Sequence, residues 1–216
     1  GTPLGVSSTF VIIIVVLGAL LEKTGASGVL MDIAVSMTRN SRGGPAKAAV
    51  VGSSLMGMIS GTAVANVLTT GTISIPLMRR GGYRPAVAGA VEAVASTGGQ
   101  LMPPIMGAAA FLMADIMEVP YLDITKAALL PALLFYIAVF ASVHLEAIKI
   151  GLKPLESIDI PDVAQSLRNS GHVLLSIPVF IGTLISGYSV MYSSLAGIIC
   201  LLALSLLRHS SRLNPR

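Results

Sequence analysis

Two short polar interruptions within apolar stretches carry the residues of this sequence that can bind a ligand. The first, SGTA at residues 60–63, divides the apolar stretch 46–78 into two arms. Such a break offers two hydroxyls, backbone carbonyls freed at the end of one arm and backbone amides freed at the start of the next. Asn66 lies one helical turn beyond and adds a side-chain amide. Freed carbonyls bind cations such as Na⁺ and helix starts face anions, so this pattern indicates an ion or substrate site.

The second interruption, STGGQLMPP at residues 96–104, has the same chemistry. It separates the apolar arms 86–95 and 105–117. Its two glycines permit unusual backbone angles, and its two prolines cannot continue a helix without losing hydrogen bonds. Two interrupted helices close together in the sequence, each with Ser, Thr and Gly at its break, are more specific than either one alone.

A single carboxylate, Glu92, lies inside one of the apolar arms. Ionisable residues at membrane depth are candidates for function by default, and Glu92 can serve as a proton carrier or as half of an ion pair. Arg84 stands only about two helical turns earlier. Glu92 can therefore also extend to the membrane surface or pair with a basic residue, and these interpretations all stay open.

The overall composition places these segments in a membrane. Of the 216 residues, 54% are hydrophobic and 11% are charged, whereas a soluble domain has about 25% charged residues. The mean hydropathy is +0.84. The apolar runs are continuous rather than alternating, which favours helices over a β-barrel. We therefore predict an all-α integral membrane protein.

The apolar segments give a coarse order of elements. Residues 1–44 contain a short apolar run, 6–21, and an amphipathic surface segment, 27–37. Residues 45–120 contain the hairpin 46–78 and the broken helix 85–117. Residues 121–216 contain the membrane helices 124–148, 172–187 and 189–207. The sequence starts on Gly1 without an initiator Met, so we expect it to be a piece of a longer protein.

The basic residues decide between two topologies for the stretch 46–78. If this stretch crosses the membrane, the 14 Lys and Arg residues divide nine to five between the two faces. If it is a re-entrant hairpin, 13 of the 14 lie on one face and only Lys126 lies on the other. Basic residues concentrate on the cytoplasmic face, so the hairpin is favoured. The short arms agree, because apolar stretches of about 10–14 residues are typical of re-entrant segments.

Two long motif blocks resemble a known family. GSSLMGMISGTAVANVLTTGTISIPLMRRGGYRP, which begins at Gly52, and AVEAVASTGGQLMPPIMGAAAFLMAD, which begins at Ala90, are similar to the large membrane subunit of tripartite ATP-independent periplasmic (TRAP) transporters. The segments GTPLGVSSTFVIIIVVLGALLEKTG and HVLLSIPVFIGTLISGYSVMYSSLAGI also resemble their places in that family. The sequence looks most like the fused permeases that work with binding proteins of the TAXI type, and the resemblance covers nearly the whole chain.

The resemblance implies an elevator-type secondary transporter made of two inverted repeats, each with one re-entrant hairpin and one broken helix. This chain would be the N-terminal half of the large-subunit region, with a scaffold helix and interfacial arm in 1–44 and half of the transport domain in 45–120. The resemblance also implies that the protein takes up organic acids (carboxylates) across the inner (cytoplasmic) membrane of a bacterium or archaeon. A Na⁺ gradient would drive this uptake. The implied partners are a periplasmic substrate-binding protein of the TAXI type, a small membrane subunit or fused helices, the second inverted repeat and the lipid bilayer, with no nucleic acid.

The same resemblance implies a Na⁺ site between the hairpin tip and the helix break, with no other metal and no cofactor. The residues carried over for Na⁺ are Ser60, Gly61, Thr62, Asn66, Ser96, Thr97, Gly98 and Gly99. Those expected near the substrate are Thr62, Ala63, Gln100, Pro103 and Pro104. The family has two hairpins and two broken helices and this chain has one of each. We therefore expect half of the substrate site and no transport by this chain alone.

Two other functions are compatible with the sequence. A different anion symporter with re-entrant hairpins, which needs no binding protein, would share the chemistry of the breaks. A passive helical scaffold would explain the small residues but not two polar breaks at membrane depth. An enzyme is not expected, because the sequence shows no paired intramembrane aspartates, no Ser with a His or Lys base and no zinc-ligand spacing.

Overall fold

A computed structural model describes residues 11–152 and 163–207 of the chain. Within these two ranges the chain forms helices and no β-strand, which confirms the predicted all-α class. The α-helices are α1 (Ile12–Lys23), α2 (Ala26–Thr38), α3 (Gly44–Ser60), α4 (Ala63–Arg80), α5 (Pro85–Gly98), α6 (Ala108–Met117), α7 (Tyr121–Lys149), α8 (Val163–Ser170), α9 (Ser176–Ile185) and α10 (Val190–Leu207). Short 3₁₀ turns lie at Gly99–Leu101 and Gly171–Leu175. The beginning of the first predicted apolar run, residues 6–10, lies outside the described residues.

Helix α7 is the one helix of the described ranges that by itself is long and apolar enough to cross a membrane. Its 29 residues rise about 43 Å, more than the hydrocarbon thickness of about 30 Å. Helices α1 and α2 meet the same criterion only as a pair, and they are bent by 68° where they join. Gly25 makes this bend, because its φ of +90° lies in the left-handed region that favours glycine.

Helices α3 and α4 form an antiparallel hairpin. Gly61, with a φ of +61°, ends α3 and lets the chain reverse. Midway along the arms, the hydroxyls of Ser53 and Thr70 lie 3.3 Å apart. At the open end, a Cβ placed on Gly81 would lie 2.7 Å from Cγ of Pro45. The arms therefore run side by side over their whole length, and the chain enters and leaves the hairpin at the same end.

The second interruption begins later than the sequence predicts. Helix α5 continues through Ser96, Thr97 and Gly98, and the chain leaves helical geometry only after the 3₁₀ turn that follows. Gly98 and Gly99 both keep right-handed helical backbone angles. The two prolines end the helix, because they supply no N–H group for its hydrogen bonds. The break is thus the loop 102–107, which leads into α6.

Helix α3 lies at the centre of the fold, where it packs against α1, α2, α4, α5 and α7. One apolar cluster joins α1, the loop after α5 and α9 around Leu17, Ile105 and Phe180. A second joins α3, α5 and α7 around Val50 and Tyr136. These two clusters hold the hairpin and the broken helix against each other and so position both interruptions.

Candidate functional site

The tip of the hairpin lies against the break of the following helix. A Cβ on Gly57 would lie 2.2 Å from Cα of Gly99, and a Cβ on Gly61 would lie 2.4 Å from the carbonyl oxygen of Met106. Real Cβ atoms essentially never approach backbone atoms to under 3.0 Å, so only glycine fits at either position. The two interruptions therefore meet backbone to backbone.

Asn66, in the first turn of α4, ties the two elements together. Its side chain is fully buried. The amide nitrogen donates to the carbonyl of Ser53 on α3 at 2.9 Å and to the carbonyl of Ser96 on α5 at 3.4 Å. The side chain of Asn66 thus joins α4 to one backbone carbonyl on α3 and to one on α5.

A second polar group, the hydroxyl–carboxylate cluster, lies next to Asn66. It consists of Glu92, Ser53, Thr70, Ser74 and Ser96, each of them at most 1% exposed. Glu92 Oε1 accepts hydrogen bonds from Ser96 at 2.8 Å, from Ser53 at 3.3 Å and from Thr70. Glu92 Oε2 accepts one from Ser74. Four hydroxyls from three helices therefore converge on one carboxylate.

Each Ser or Thr hydroxyl can donate or accept a hydrogen bond, so the four hydroxyls satisfy both oxygens of this buried carboxyl group. Each such hydrogen bond contributes about 0.5–1.5 kcal/mol, so the cluster holds α3, α4 and α5 together. The ion pairs of Lys126 with Asp123 and of Lys149 with Glu146 lie at the two ends of α7. No Lys or Arg of the described ranges forms an ion pair with Glu92, whose partners are all hydroxyls.

Comparison with known protein families decides which kind of protein carries this arrangement. Residues 2–215 match the model of the family described as tripartite ATP-independent periplasmic transporter, DctM component. The chain belongs to this family. The match confirms the resemblance of the two motif blocks and places the chain among transporter permeases.

Three curated relatives match parts of the chain. The C4-dicarboxylate TRAP transporter large permease protein DctM of Pseudomonas aeruginosa is 29% identical over 170 residues, which cover 79% of this chain and 39% of that protein. The uncharacterised protein YgiK of Salmonella typhimurium is 27% identical over 173 residues, or 80% of this chain and 40% of that protein. The uncharacterised protein y4mL of Sinorhizobium fredii is 32% identical over 105 residues, or 49% and 25%. The chain therefore spans at most about two fifths of the length of these relatives.

Part of the Na⁺-site set carried over from the DctM-family resemblance comes together at the meeting point of tip and break. Gly61 and Gly99 form the contacts between the two interruptions, and Asn66 and Ser96 are joined by a hydrogen bond. Ser60 is buried at the end of α3, and its hydroxyl lies 3.4 Å from the carbonyl of Thr62.

Other members of the predicted set point elsewhere. The hydroxyl of Thr97 donates to the carbonyl of Ala93 at 2.7 Å on an exposed face of α5. Gly98 faces α7, where a Cβ would lie 2.1 Å from the ring of Phe135. Of the residues expected near substrate, the structure places Thr62 and Ala63 half-buried at the tip, Gln100 exposed at the break, and Pro103 and Pro104 buried in the loop.

Three cluster members, Ser53, Thr70 and Ser74, stand out less in the sequence than in the structure. A membrane Ser or Thr often bonds only to its own helix, as the neighbouring Ser54 does here. The available signal is spacing: Thr70 and Ser74 are four residues apart, as are Glu92 and Ser96. Each pair therefore presents two polar groups on one helix face.

The donor chemistry at the meeting point fits Na⁺. The oxygens there are hydroxyls and backbone carbonyls, which are ligands that hard cations prefer and which form the ion sites of interrupted membrane helices. No group of three or more His, Cys, Asp or Glu residues in the described ranges lies close enough to hold a metal ion. Glu92 is fully buried one helical turn before Ser96 on α5, and its carboxyl group is hydrogen-bonded to the Ser96 hydroxyl.

Proposed function

We propose that this chain is the first repeat of the permease of a cation-coupled secondary transporter that imports organic acids across the inner membrane of a bacterium or archaeon. Membership of the DctM family supports transport, and the name of the Pseudomonas aeruginosa relative points to C4-dicarboxylates as the first substrates to test. The structural observation that carries the proposal is the contact of the hairpin tip at Gly61 with the helix break at Met106.

In the proposed mechanism, Na⁺ is the coupling ion and binds where the tip meets the break. The hydroxyl of Ser60 and backbone carbonyls near Gly61 and Gly99 would hold it, while Asn66 fixes the spacing of the two elements. The substrate would lie at the same contact, next to Thr62. Because Asn66 and the hydroxyl–carboxylate cluster bind α3, α4 and α5 to one another, the hairpin and the broken helix would move as one body in an elevator motion.

The whole transporter requires further parts in this proposal. The chain spans about two fifths of the Pseudomonas aeruginosa relative, so a second, inverted repeat would complete the substrate site. A small membrane subunit or fused helices would support the permease in the bilayer. A periplasmic binding protein, of the TAXI type by the resemblance of the motif blocks, would deliver the substrate.

The test is uptake by the full permease, reconstituted in liposomes with its membrane subunit. Labelled succinate, a C4-dicarboxylate, and a set of other organic acids would be offered with and without the purified binding protein, under an inward gradient of Na⁺ or of choline. We expect saturable uptake only when Na⁺ and the liganded binding protein are both present.

Each alternative function gives a different result in this assay. Equal Na⁺-driven uptake without the binding protein would identify a symporter of another kind. The absence of uptake under any gradient, from a permease shown to be folded and assembled, would favour a helical scaffold. Uptake that follows a proton gradient and ignores Na⁺ would contradict the coupling ion.

A further inference from the structure

A groove runs between α3 and α7, and its lining includes no residue of the hairpin tip or of the helix break. Most of its length is apolar and is lined by Val50, Leu133, Ile137 and Phe140. Lys47, in the first turn of α3, and His144, near the end of α7, line one end. The groove is therefore apolar along its length and basic at one end.

Lys47 is buried at this end without a carboxylate partner in the described ranges. Only 4% of the residue is exposed, and the ion pairs of those ranges are formed by other lysines. Its Nζ donates to the hydroxyl of Ser41 at 3.0 Å and lies 5.2 Å from the centre of the Phe140 ring. An ammonium group has three N–H donors and no acceptor, and a lysine is almost never fully buried unless it is paired. The position therefore favours an anion in the groove.

His144 supplies a second, independent indication at the same end. Its Nδ1 is buried and has no hydrogen-bond partner among the described residues. His144 follows Phe140 by four residues on α7, so it lies on the same helix face, next to the ammonium group of Lys47. An imidazole can carry its proton on Nδ1 and donate from there. Two unsatisfied groups that can donate thus fit one anion with several oxygens, such as a phosphate.

The length of the groove matches one leaflet of a membrane. From Leu133 to His144, α7 rises about 16 Å, close to half of the hydrocarbon thickness of about 30 Å. Leu133 and Ile137 are 43% and 63% exposed, so the groove opens towards the bilayer. Its basic end belongs to the cluster of Lys and Arg residues that the charge distribution places on the cytoplasmic face. The ligand that fits has an anionic head at the membrane surface and an apolar chain.

We propose that this groove binds one acidic phospholipid of the cytoplasmic leaflet. The phosphate of the headgroup accepts hydrogen bonds from Lys47 and His144, and an acyl chain lies along Leu133 and Ile137. Basic pockets between membrane helices on the cytoplasmic side bind acidic headgroups in the same way. The inference goes beyond the proposed function, because it requires a membrane around the chain but neither Na⁺ nor substrate.

A second groove on the opposite side of α7 provides an internal comparison. It lies between α5 and α7 and has a volume of about 490 Å³, against about 530 Å³ for the groove at Lys47. Val91, Val94 and Val139 line its length, and its lining includes Glu146 but no Lys, Arg or His. It is therefore similar in size but offers no positive charge to a phosphate, and we expect no preference for acidic lipid there.

The test measures lipid binding by the purified, delipidated full permease in detergent. The melting temperature is followed as dioleoyl phosphatidylglycerol is added, and the half-saturating concentration is read from the curve. Parallel series use dioleoyl phosphatidylcholine, which has the same chains but no net charge, and inorganic phosphate, which has no chain. We expect phosphatidylglycerol to stabilise the permease at the lowest concentration and inorganic phosphate to have no effect.

Variants of two lysines test the charge. Lys47→Met keeps a side chain of similar length and should raise the half-saturating concentration of phosphatidylglycerol about fivefold, since one basic group near the membrane surface gives acidic lipid about that advantage. Lys47→Arg keeps the charge and should stay close to the unmodified value. Lys149→Met removes an exposed charge at the end of the same helix, outside the groove, and should change little.

A second pair of variants tests the place without touching Lys47, and so decides the question if Lys47→Met fails to fold. Ala141 and Ala138 are both exposed on α7, and they line the grooves towards α3 and α5, respectively. Ala141→Trp should fill the first groove and remove the stabilisation by phosphatidylglycerol, whereas Ala138→Trp should leave it unchanged. Native mass spectrometry counts the phosphatidylglycerol molecules that each variant retains, and we expect one fewer for Ala141→Trp.

Three results would overturn the proposal. Equal half-saturating concentrations for the two lipids, or for the unmodified permease and Lys47→Met, would show that Lys47 does not recognise an acidic headgroup. The same stabilisation by inorganic phosphate would identify an anion site that holds no lipid. If neither lipid stabilises the unmodified permease, other parts of the longer protein cover the groove. None of these results changes the expected Na⁺-driven uptake, so the proposed function is tested separately.

Discussion

Gly57 and Gly99 touch through their backbones, although they belong to two different interrupted helices. A Cβ on Gly57 would lie 2.2 Å from Cα of Gly99, and a Cβ on Gly99 would lie 2.7 Å from Cα of Gly57. This contact fixes how closely the hairpin approaches the break. It also explains why Gly57 and Gly61 form a small-residue pair: Gly57 packs against Gly99 and Gly61 packs against the carbonyl of Met106.

We predict that Gly57→Ala separates the hairpin from the break. The added methyl group must displace backbone rather than a flexible side chain, so we expect a loss of about 1–3 kcal/mol in the free energy of unfolding and a large loss of Na⁺-driven uptake. Gly89→Ala is the matched control, because a Cβ there meets nothing within 4 Å. Equal melting temperatures and uptake for the two variants would contradict the tight contact.

The hydroxyls of two adjacent residues on α5 should differ in importance. Ser96→Ala removes a fully buried hydrogen-bond partner of Glu92, so it should lower the free energy of unfolding by about 0.5–1.5 kcal/mol and should also lower Na⁺ affinity. Thr97→Ala removes a hydroxyl that bonds only to the carbonyl of Ala93 on an exposed face, and its effect should be much smaller. Na⁺-dependent melting curves of both variants check the order. A larger effect for Thr97→Ala would mean that the hydroxyl of Thr97 binds the ion.

The sequence predicts the ends of helices well where the apolar pattern is interrupted. The end of α6 at Met117 agrees with the end of the predicted arm 105–117, because the loop after α6 interrupts the apolar pattern. The sequence predicts a break from Ser96 onwards, whereas α5 continues to Gly98, because glycines permit a break but do not require one. The prolines at 103 and 104 do require it.

The hydroxyl–carboxylate cluster was only partly predictable. Glu92 stands out as a carboxylate in an apolar arm, but its partners come from positions 53, 70 and 74 on other helices. Which hydroxyls turn inwards depends on the rotation of α3 and α4 about their axes. Packing between helices sets that rotation, and the apolar pattern around these positions is too uniform to reveal it.

The hydroxyl of Tyr121 should stabilise the loop at the helix break. It donates to the carbonyl of Pro104 at 3.0 Å and to that of Ile105, and its ring stacks on Phe111 with centroids 4.4 Å apart. Tyr121→Phe keeps the stacking and leaves two buried carbonyls without their donor, so we expect a loss of about 1–3 kcal/mol in stability. Thermal unfolding of the full permease measures it.

The control for Tyr121 is the same change at an exposed tyrosine. Tyr188 lies in the turn between α9 and α10, and 54% of it is exposed. Tyr188→Phe should therefore alter the melting temperature little. If both variants have the same melting temperature as the unmodified protein, the hydroxyl of Tyr121 does not stabilise the loop.

The topology of the hairpin can be tested by labelling single cysteines in intact cells. Because Pro45 and Gly81 lie together, Arg42→Cys and Arg79→Cys should react from the same side of the membrane, in a background in which Cys200→Ser removes the native thiol. Lys126→Cys, at the start of α7, should react from the opposite side, since the charge distribution leaves Lys126 alone there. A membrane-impermeant maleimide added before and after permeabilisation distinguishes the sides. Arg42 and Arg79 labelled from opposite faces would show that residues 46–78 cross the bilayer, and the re-entrant hairpin would be wrong.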